Sequence, residues 1–135
     1  RFGFHAWHVA EHHATTLGMA PSPNVMLAAV AQRTRRLRFG PMVYALPLYH
    51  PLRLAEEIAM LDQMSRGRME IGFGRGSSPV EICYFGVDPA GTEETYRAML
   101  PRILDALETG VMRAPEQTEP YAEFALKVHP HQKPY

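Results

Sequence analysis

The sequence predicts an α/β fold of the parallel βα type, and three observations carry that prediction. A short apolar segment, Ala6 to Ala10, ends in an acid–imidazole cluster, Glu11-His12-His13. A second segment, Met69 to Phe73, runs into the glycines that flank Arg75. Between them the apolar spacing changes from helix to strand to helix, with strand starts roughly 30 residues apart, the length of one βα unit. Polar, reactive side chains gathered where strands end are what a parallel array places at its C-terminal, ligand-binding face.

Taken in order, Ala6 to Ala10 is bounded by Gly3 and the imidazoles, which favours a strand, although its alanines leave a helix open. Residues 14–21 read as a loop. Ser22-Pro23 has the form of an N-cap followed by proline in the first turn. The helix carries Val25, Leu27, Ala28, Ala31 and Gln32 and ends at the basic Arg33 to Arg36, where cations suit the helix dipole. Leu37 to Tyr44 forms the second strand, and its Gly40-Pro41 pair predicts a bulge or bend. Residues 45–50 are a loop. Pro51 opens a helix with Leu54, Ile58, Leu61 and Met64 as its core stripe, stopped at Ser65-Arg66-Gly67. Arg68 to Phe73 is the third strand, followed by a glycine loop and a helical turn from Val80 to Phe85. Thr92 is expected to cap a helix from Glu93 to Glu108, kinked at Pro101. Tyr121 to Val128 reads as either a fourth strand or a loop. Glu56, Asp62 and Arg68 are assigned to structure, the last two tying helix to strand by charge-assisted hydrogen bonds.

The 135 residues are one domain's worth of chain. Fourteen basic and fourteen acidic side chains cancel, which argues against nucleic acid or a polybasic membrane surface as partner. No apolar run approaches the ~20 residues of a membrane span, and Arg1 to His5 lacks the basic-then-apolar pattern of a signal peptide. The single Cys83 excludes an intramolecular disulfide and fits a reducing, cytoplasmic setting. The chain opens without Met and closes at Gln132-Lys133-Pro134-Tyr135, so it reads as a piece of a longer polypeptide.

The letters His8-Val9-Ala10-Glu11-His12 also spell H-x-x-E-H, a zinc signature on a helix. In a strand the two imidazoles would stand about 13 Å apart, so no metal is expected. Gly72-Phe73-Gly74-Arg75-Gly76 is not the dinucleotide fingerprint, because its third glycine comes one position early. It suits either a tight turn or close backbone approach to a ligand.

Several motifs occur in a specific order: Glu11-His12-His13, Leu46-Pro47-Leu48-Tyr49-His50-Pro51, Ala55-Glu56, Leu61-Asp62-Gln63-Met64-Ser65-Arg66-Gly67-Arg68, Gly72 to Gly76, and Phe85-Gly86. Together, over residues 1 to 110, they resemble the bacterial luciferase-like monooxygenases, flavin-dependent enzymes built on a (β/α)8 TIM barrel. The resemblance implies that residues 1–135 are a partial barrel of about three to four parallel strands, with the first strand before Arg1 and the last four after Tyr135. So few strands cannot close a barrel, and activity is expected of a longer protein rather than of this piece alone.

The resemblance also assigns roles. His12 corresponds to the family histidine beside the flavin, implicated as a catalytic base, as an imidazole near neutral pH allows. Read without the resemblance it is a hydrogen-bonded histidine at a strand mouth, and His13 a brace for Glu11 or the loop. Arg75 corresponds to the phosphate-contacting arginine, its guanidinium fork suited to an oxyanion, with Gly74 and Gly76 permitting close approach. Gly74 stands where bacterial luciferase has a reactive but dispensable cysteine. Arg97 corresponds to a second phosphate arginine, and Glu81 to an acidic position that influences flavin binding; otherwise Glu81 is a solvated residue of a short helix. Met42-Val43 aligns with the family's non-proline cis peptide against the flavin ring. His50 is either a helix cap or a substrate contact. The implied reaction uses reduced FMN and O2 on a small organic substrate, with a separate flavin reductase as partner and room for a homo-oligomer. The alternatives are a deazaflavin (F420)-dependent hydride-transfer enzyme and a non-catalytic flavin-binding relative.

Overall fold

The computed structural model describes residues 3–133. The first strand, β1 (Ala6–Val9), lies parallel to β2 (Arg38–Pro41), with Trp7 opposite Phe39 and His8 opposite Gly40. Helix α1 (Pro23–Arg33) makes the crossover. The strand expected over 37–44 is divided. The Met42–Val43 peptide is cis, and beyond it β3 (Tyr44–Ala45) pairs with β4 (Phe73–Gly74), also in parallel. One stretch of chain therefore leans first on its predecessor and then on its successor. The 68–73 strand is regular only at its end, yet it is bonded along its length: Phe39 N donates to Arg68 O, Glu70 N to Phe39 O, Gly72 N to Pro41 O and Tyr44 N to Gly72 O, all at 2.8–3.1 Å.

The bulge or bend expected at Gly40-Pro41 is absent there: both residues stay paired within β2, the break follows at Met42–Val43, and Gly40 instead permits close approach of Glu70. A Cβ placed there would lie 1.5 Å from the Glu70 carbonyl oxygen. No side chain fits where these two backbones meet.

The helices pack on one face of this array. Helix α2 (Pro51–Ser65) buries Leu54, Ala55, Ile58, Leu61 and Ser65. The steps of four, three and four from Leu54 carry the stripe to Ser65, one position past Met64, which is 41% exposed rather than core. Val25 of α1 likewise faces outward, while Leu27 and Ala31 are buried. At the end of α2, Arg66 and Gly67 both take positive φ, and Gly67 N donates back to Asp62 O at 3.0 Å, closing the helix in a Schellman turn. A short helix, α3 (Pro79–Tyr84), precedes α4 (Thr92–Thr109), which buries Met99, Ile103, Ala106 and Leu107 against α2. Phe39, Tyr44 and Leu46 complete the core from the strand side.

Three expectations are corrected. Thr92 is not the cap of α4; Gly91 holds that position, and the Thr92 hydroxyl donates to Pro89 O, closing a 3-10 turn. The segment near 121–128 adds no parallel strand. Its Glu123–Ala125 (β6) pairs antiparallel with Val111–Arg113 (β5), a strand not foreseen because it is three residues long with no alternation of its own. Finally, Asp62 does not tie helix to strand, whereas Arg68, at the start of the 68–73 strand, does so as expected, bonding the ends of both α1 and α2. The buried Asp62 carboxylate accepts from the backbone of His131 and Gln132 and from the Gln132 side chain, at 2.7–2.9 Å. The Arg68 fork caps the end of α1, donating to Ala31 O, Leu37 O and Thr34 Oγ1 as well as Ser65 O. A buried carboxylate takes whichever donors reach it, and here they come from residues 70 positions on.

Across the strands, Arg38 and His8 both meet the Glu70 carboxylate, at 2.5 and 3.2 Å. The hydrogen bond from Arg38 holds Glu70 below the usual carboxylate range. Its stabilising contribution is present above the unfolded value near ~4.3 and is lost as pH falls through the lower folded value. Arg38→Gln should therefore shift the acid-unfolding midpoint upward in a pH titration followed by circular dichroism. Gly40→Ala should destabilise the protein by about 3 kcal/mol or more, read from the urea unfolding midpoint, because the obstacle is backbone that cannot rotate aside.

Candidate active site

The strand ends carry the reactive side chains. Past Val9 the chain leaves β1, and Glu11 turns its carboxylate inward, 3% exposed. One oxygen accepts the Ala45 N–H of β3 at 2.8 Å. The other accepts the Tyr49 hydroxyl at 2.7 Å and meets His13 Nε2 at 3.1 Å. Burial, and then the neighbouring Glu11 charge, push the Tyr49 phenol well above its ordinary range, so it remains a donor. The His13 ring stands edge-on to Phe85, with centroids 4.6 Å apart. The sequence suggested His13 as a brace, and that is its contact. The wider part of Glu11 and Tyr49 was missed, although both lie inside motifs already singled out.

His12 is held differently. Its Nδ1 lies 3.2 Å from Glu81 Oε1 on α3. Glu81 is not a solvated helix residue: it is 6% exposed. Gly18 packs beside the imidazole, where a Cβ would sit 3.3 Å from the His12 Cβ. Thus two adjacent histidines are each paired with a separate, largely buried carboxylate.

The second group lies at the end of β4. A cavity of about 460 Å³ is lined by Val43, Gly74, Arg75, Gly76, Ser77 and Thr92, among others. Gly74 is required by packing, since a Cβ there would be 2.5 Å from Val43 Cγ2. Gly76 takes φ +80, a left-handed conformation suited to glycine. The Arg75 side chain is 62% exposed at the mouth, with its Nε 4.0 Å from Glu93 Oε2. Arg97 donates to the other Glu93 oxygen at 2.7 Å. The structure thus gathers Val43, Gly74, Arg75 and Gly76 at one cavity and brings Arg97 to it through a shared carboxylate. Met42, on the other side of the cis bond, is exposed.

His12 does not line that cavity, and β1 is separated from β4 by the β2–β3 run. The link is α3, whose Glu81 touches His12 and whose Ile82 lines the cavity. His50 forms no side-chain cap on α2. It borders a separate hollow with Arg102, Glu116 and Tyr121. His8 meets Glu70, and among the described residues no group of three His, Cys, Asp or Glu side chains is placed to hold a metal. No helix among them is long and apolar enough to cross a membrane.

An exposed guanidinium, the Ser77 hydroxyl and glycine backbone around an open cavity form a donor set for an oxyanion. An imidazole on a buried carboxylate, one short helix away, adds a proton acceptor.

Comparison with known proteins fits this arrangement. The family model described as luciferase-like monooxygenase matches residues 1–134. The uncharacterized protein y4wF of Sinorhizobium fredii is 46% identical over 135 residues, the whole of this chain and 40% of that protein. Among solved structures, monooxygenase RslO1 from Streptomyces bottropensis superposes with a TM-score of 0.84 at 28% identity, over 98% of this chain and 41% of that one. The oxygenating constituent of 3,6-diketocamphane monooxygenase from Pseudomonas putida, in complex with FMN, gives 0.77 at 26% identity, over 92% and 34%. The chain spans between about a quarter and two-fifths of the relatives it matches, and its fold is a partial (β/α)8 barrel of the kind these solved structures share.

If Glu11 organises the strand ends, Glu11→Ala should leave the Ala45 N–H and the Tyr49 hydroxyl without their acceptor. The expected cost is about 3 kcal/mol, measured by chemical denaturation, with Tyr49→Phe costing less.

Proposed function

We propose that this chain, which belongs to the luciferase-like monooxygenase family, supplies the cofactor-phosphate and proton-accepting side of an FMN-dependent oxygenase site. The observation that carries the reading is the Arg75 cavity. Its guanidinium is exposed, its floor is glycine, and its wall is Val43 on the far side of a cis peptide. These residues fit the phosphate end of FMN: Arg75 would offer two parallel N–H donors, Ser77 a hydroxyl, and Arg97 charge from α4.

When bound and reduced, FMN supplies the electrons that activate O2 for insertion into a small organic substrate. The protein's own part is to bind, orient and exclude water. Gly74 and Val43 would give the bound cofactor a close wall. His12 accepts a proton at its imidazole, and Glu81 opposes the positive charge that results. The Pseudomonas relative is described as an oxygenating constituent, which supports a separate reductase as the source of reduced flavin. Its bound FMN supports that flavin over a deazaflavin.

The test is a titration of FMN into the full-length protein, followed by flavin fluorescence. Arg75→Ala should weaken binding by roughly 10- to 100-fold, as loss of a charged hydrogen bond of about 1.5–3 kcal/mol implies. Unchanged affinity would remove the phosphate role from Arg75.

A further inference from the structure

We infer that the two adjacent histidines are locked in opposite tautomers by two different carboxylates, and that Glu81 is the positioning residue that makes His12 Nε2 the basic atom of the site. This deepens the reading of His12 as a proton acceptor and rests on it.

An ionised carboxylate only accepts hydrogen bonds. Glu81 is 6% exposed, and its side chain meets His12 Nδ1 at 3.2 Å. A carboxylate so little exposed to water needs a donor, so Nδ1 must carry hydrogen. In the neutral ring the lone pair is then on Nε2, at the end of the imidazole away from α3. The His12 side chain is 25% exposed, and its Nδ1 is the ring nitrogen that meets Glu81.

For His13 the order is reversed. Glu11 already accepts from the Ala45 N–H and the Tyr49 O–H. The Tyr49 phenol is a donor here, so its partner oxygen is an acceptor, and the same oxygen meets His13 Nε2. That nitrogen therefore carries hydrogen, and its lone pair is on Nδ1. The ring is held edge-on against Phe85, and its Nε2 is spent on Glu11.

The sequence thus repeats one residue and the fold gives the two copies different chemistry. His12 Nε2 takes up a proton through its lone pair, and the imidazolium that forms keeps its Nδ1–H on the Glu81 carboxylate. His13 fixes the loop. The acidic residue that the family resemblance ties to flavin binding acts here through the imidazole.

The experiment uses full-length protein labelled with 15N-histidine, in which long-range proton–nitrogen correlations at neutral-to-alkaline pH report the tautomer of each ring. We expect His12 as the Nδ1–H form and His13 as the Nε2–H form in the resting protein, without flavin or substrate. In Glu81→Leu, which can neither accept nor donate, the His12 tautomer should change towards Nε2–H. Turnover should fall about 100-fold or more, while FMN affinity changes less than twofold. A wild-type His12 in the Nε2–H form would overturn the inference whether or not any variant folds. So would an unchanged His12 tautomer in Glu81→Leu. A fall in FMN affinity equal to the fall in turnover would also overturn it, returning Glu81 to cofactor binding. If the tautomers are as stated but the protein oxidises no substrate with reduced FMN, the proposed function fails and the histidine assignment stands.

Discussion

The arrangement of strand ends depends on the Glu11 carboxylate. It is nearly sealed from water and satisfied by donors from three directions: the β3 backbone, a tyrosine on the loop before α2, and the imidazole two residues along its own loop. Charge-assisted bonds to a desolvated acceptor are short and directional, so they fix the relative position of pieces that hydrophobic packing alone would leave free to slide. The register that puts His12 beside α3 follows from that fixing.

The cis peptide works with it. Residues 38–41 pair with β1 and residues 44–45 pair with β4, and the change of partner takes place over the Met42–Val43 bond. The backbone thereby presents Val43 to the cavity at the end of β4 and Met42 to the exterior. The glycines around it are the complement of that geometry. Gly40 yields to the Glu70 carbonyl, and Gly74 yields to the Val43 methyl.

Much of this was legible in the sequence. The parallel βα order, the glycine loop and the proline-led helices all follow from local chemistry, which acts over a few residues. Less legible were contacts that depend on distant chain. The Asp62 carboxylate finds its donors 69 and 70 positions later, and no spacing rule reaches that far. The burial of Glu81 was missed for the same reason: on a six-residue helix its surroundings are set by the loop after β1, not by its neighbours in sequence. Met64 was misplaced by one position, because a stripe stepping by three or four can be continued in either way until the packing partner is known. The short β5–β6 hairpin carried too few residues for any period to show. At the site, the residues of the glycine loop were found by type and order, whereas the division of His12 and His13 between two carboxylates needed coordinates.

Helix α3 has a mechanical consequence. Consecutive residues of one short, rigid element face two tasks: Glu81 grips the imidazole and Ile82 forms part of the neighbouring hollow's wall. Such a piece cannot swing away from one neighbour and stay seated on the other. It behaves as an interlock, in which loosening the wall also releases the ring, so widening the hollow and freeing the imidazole are a single motion.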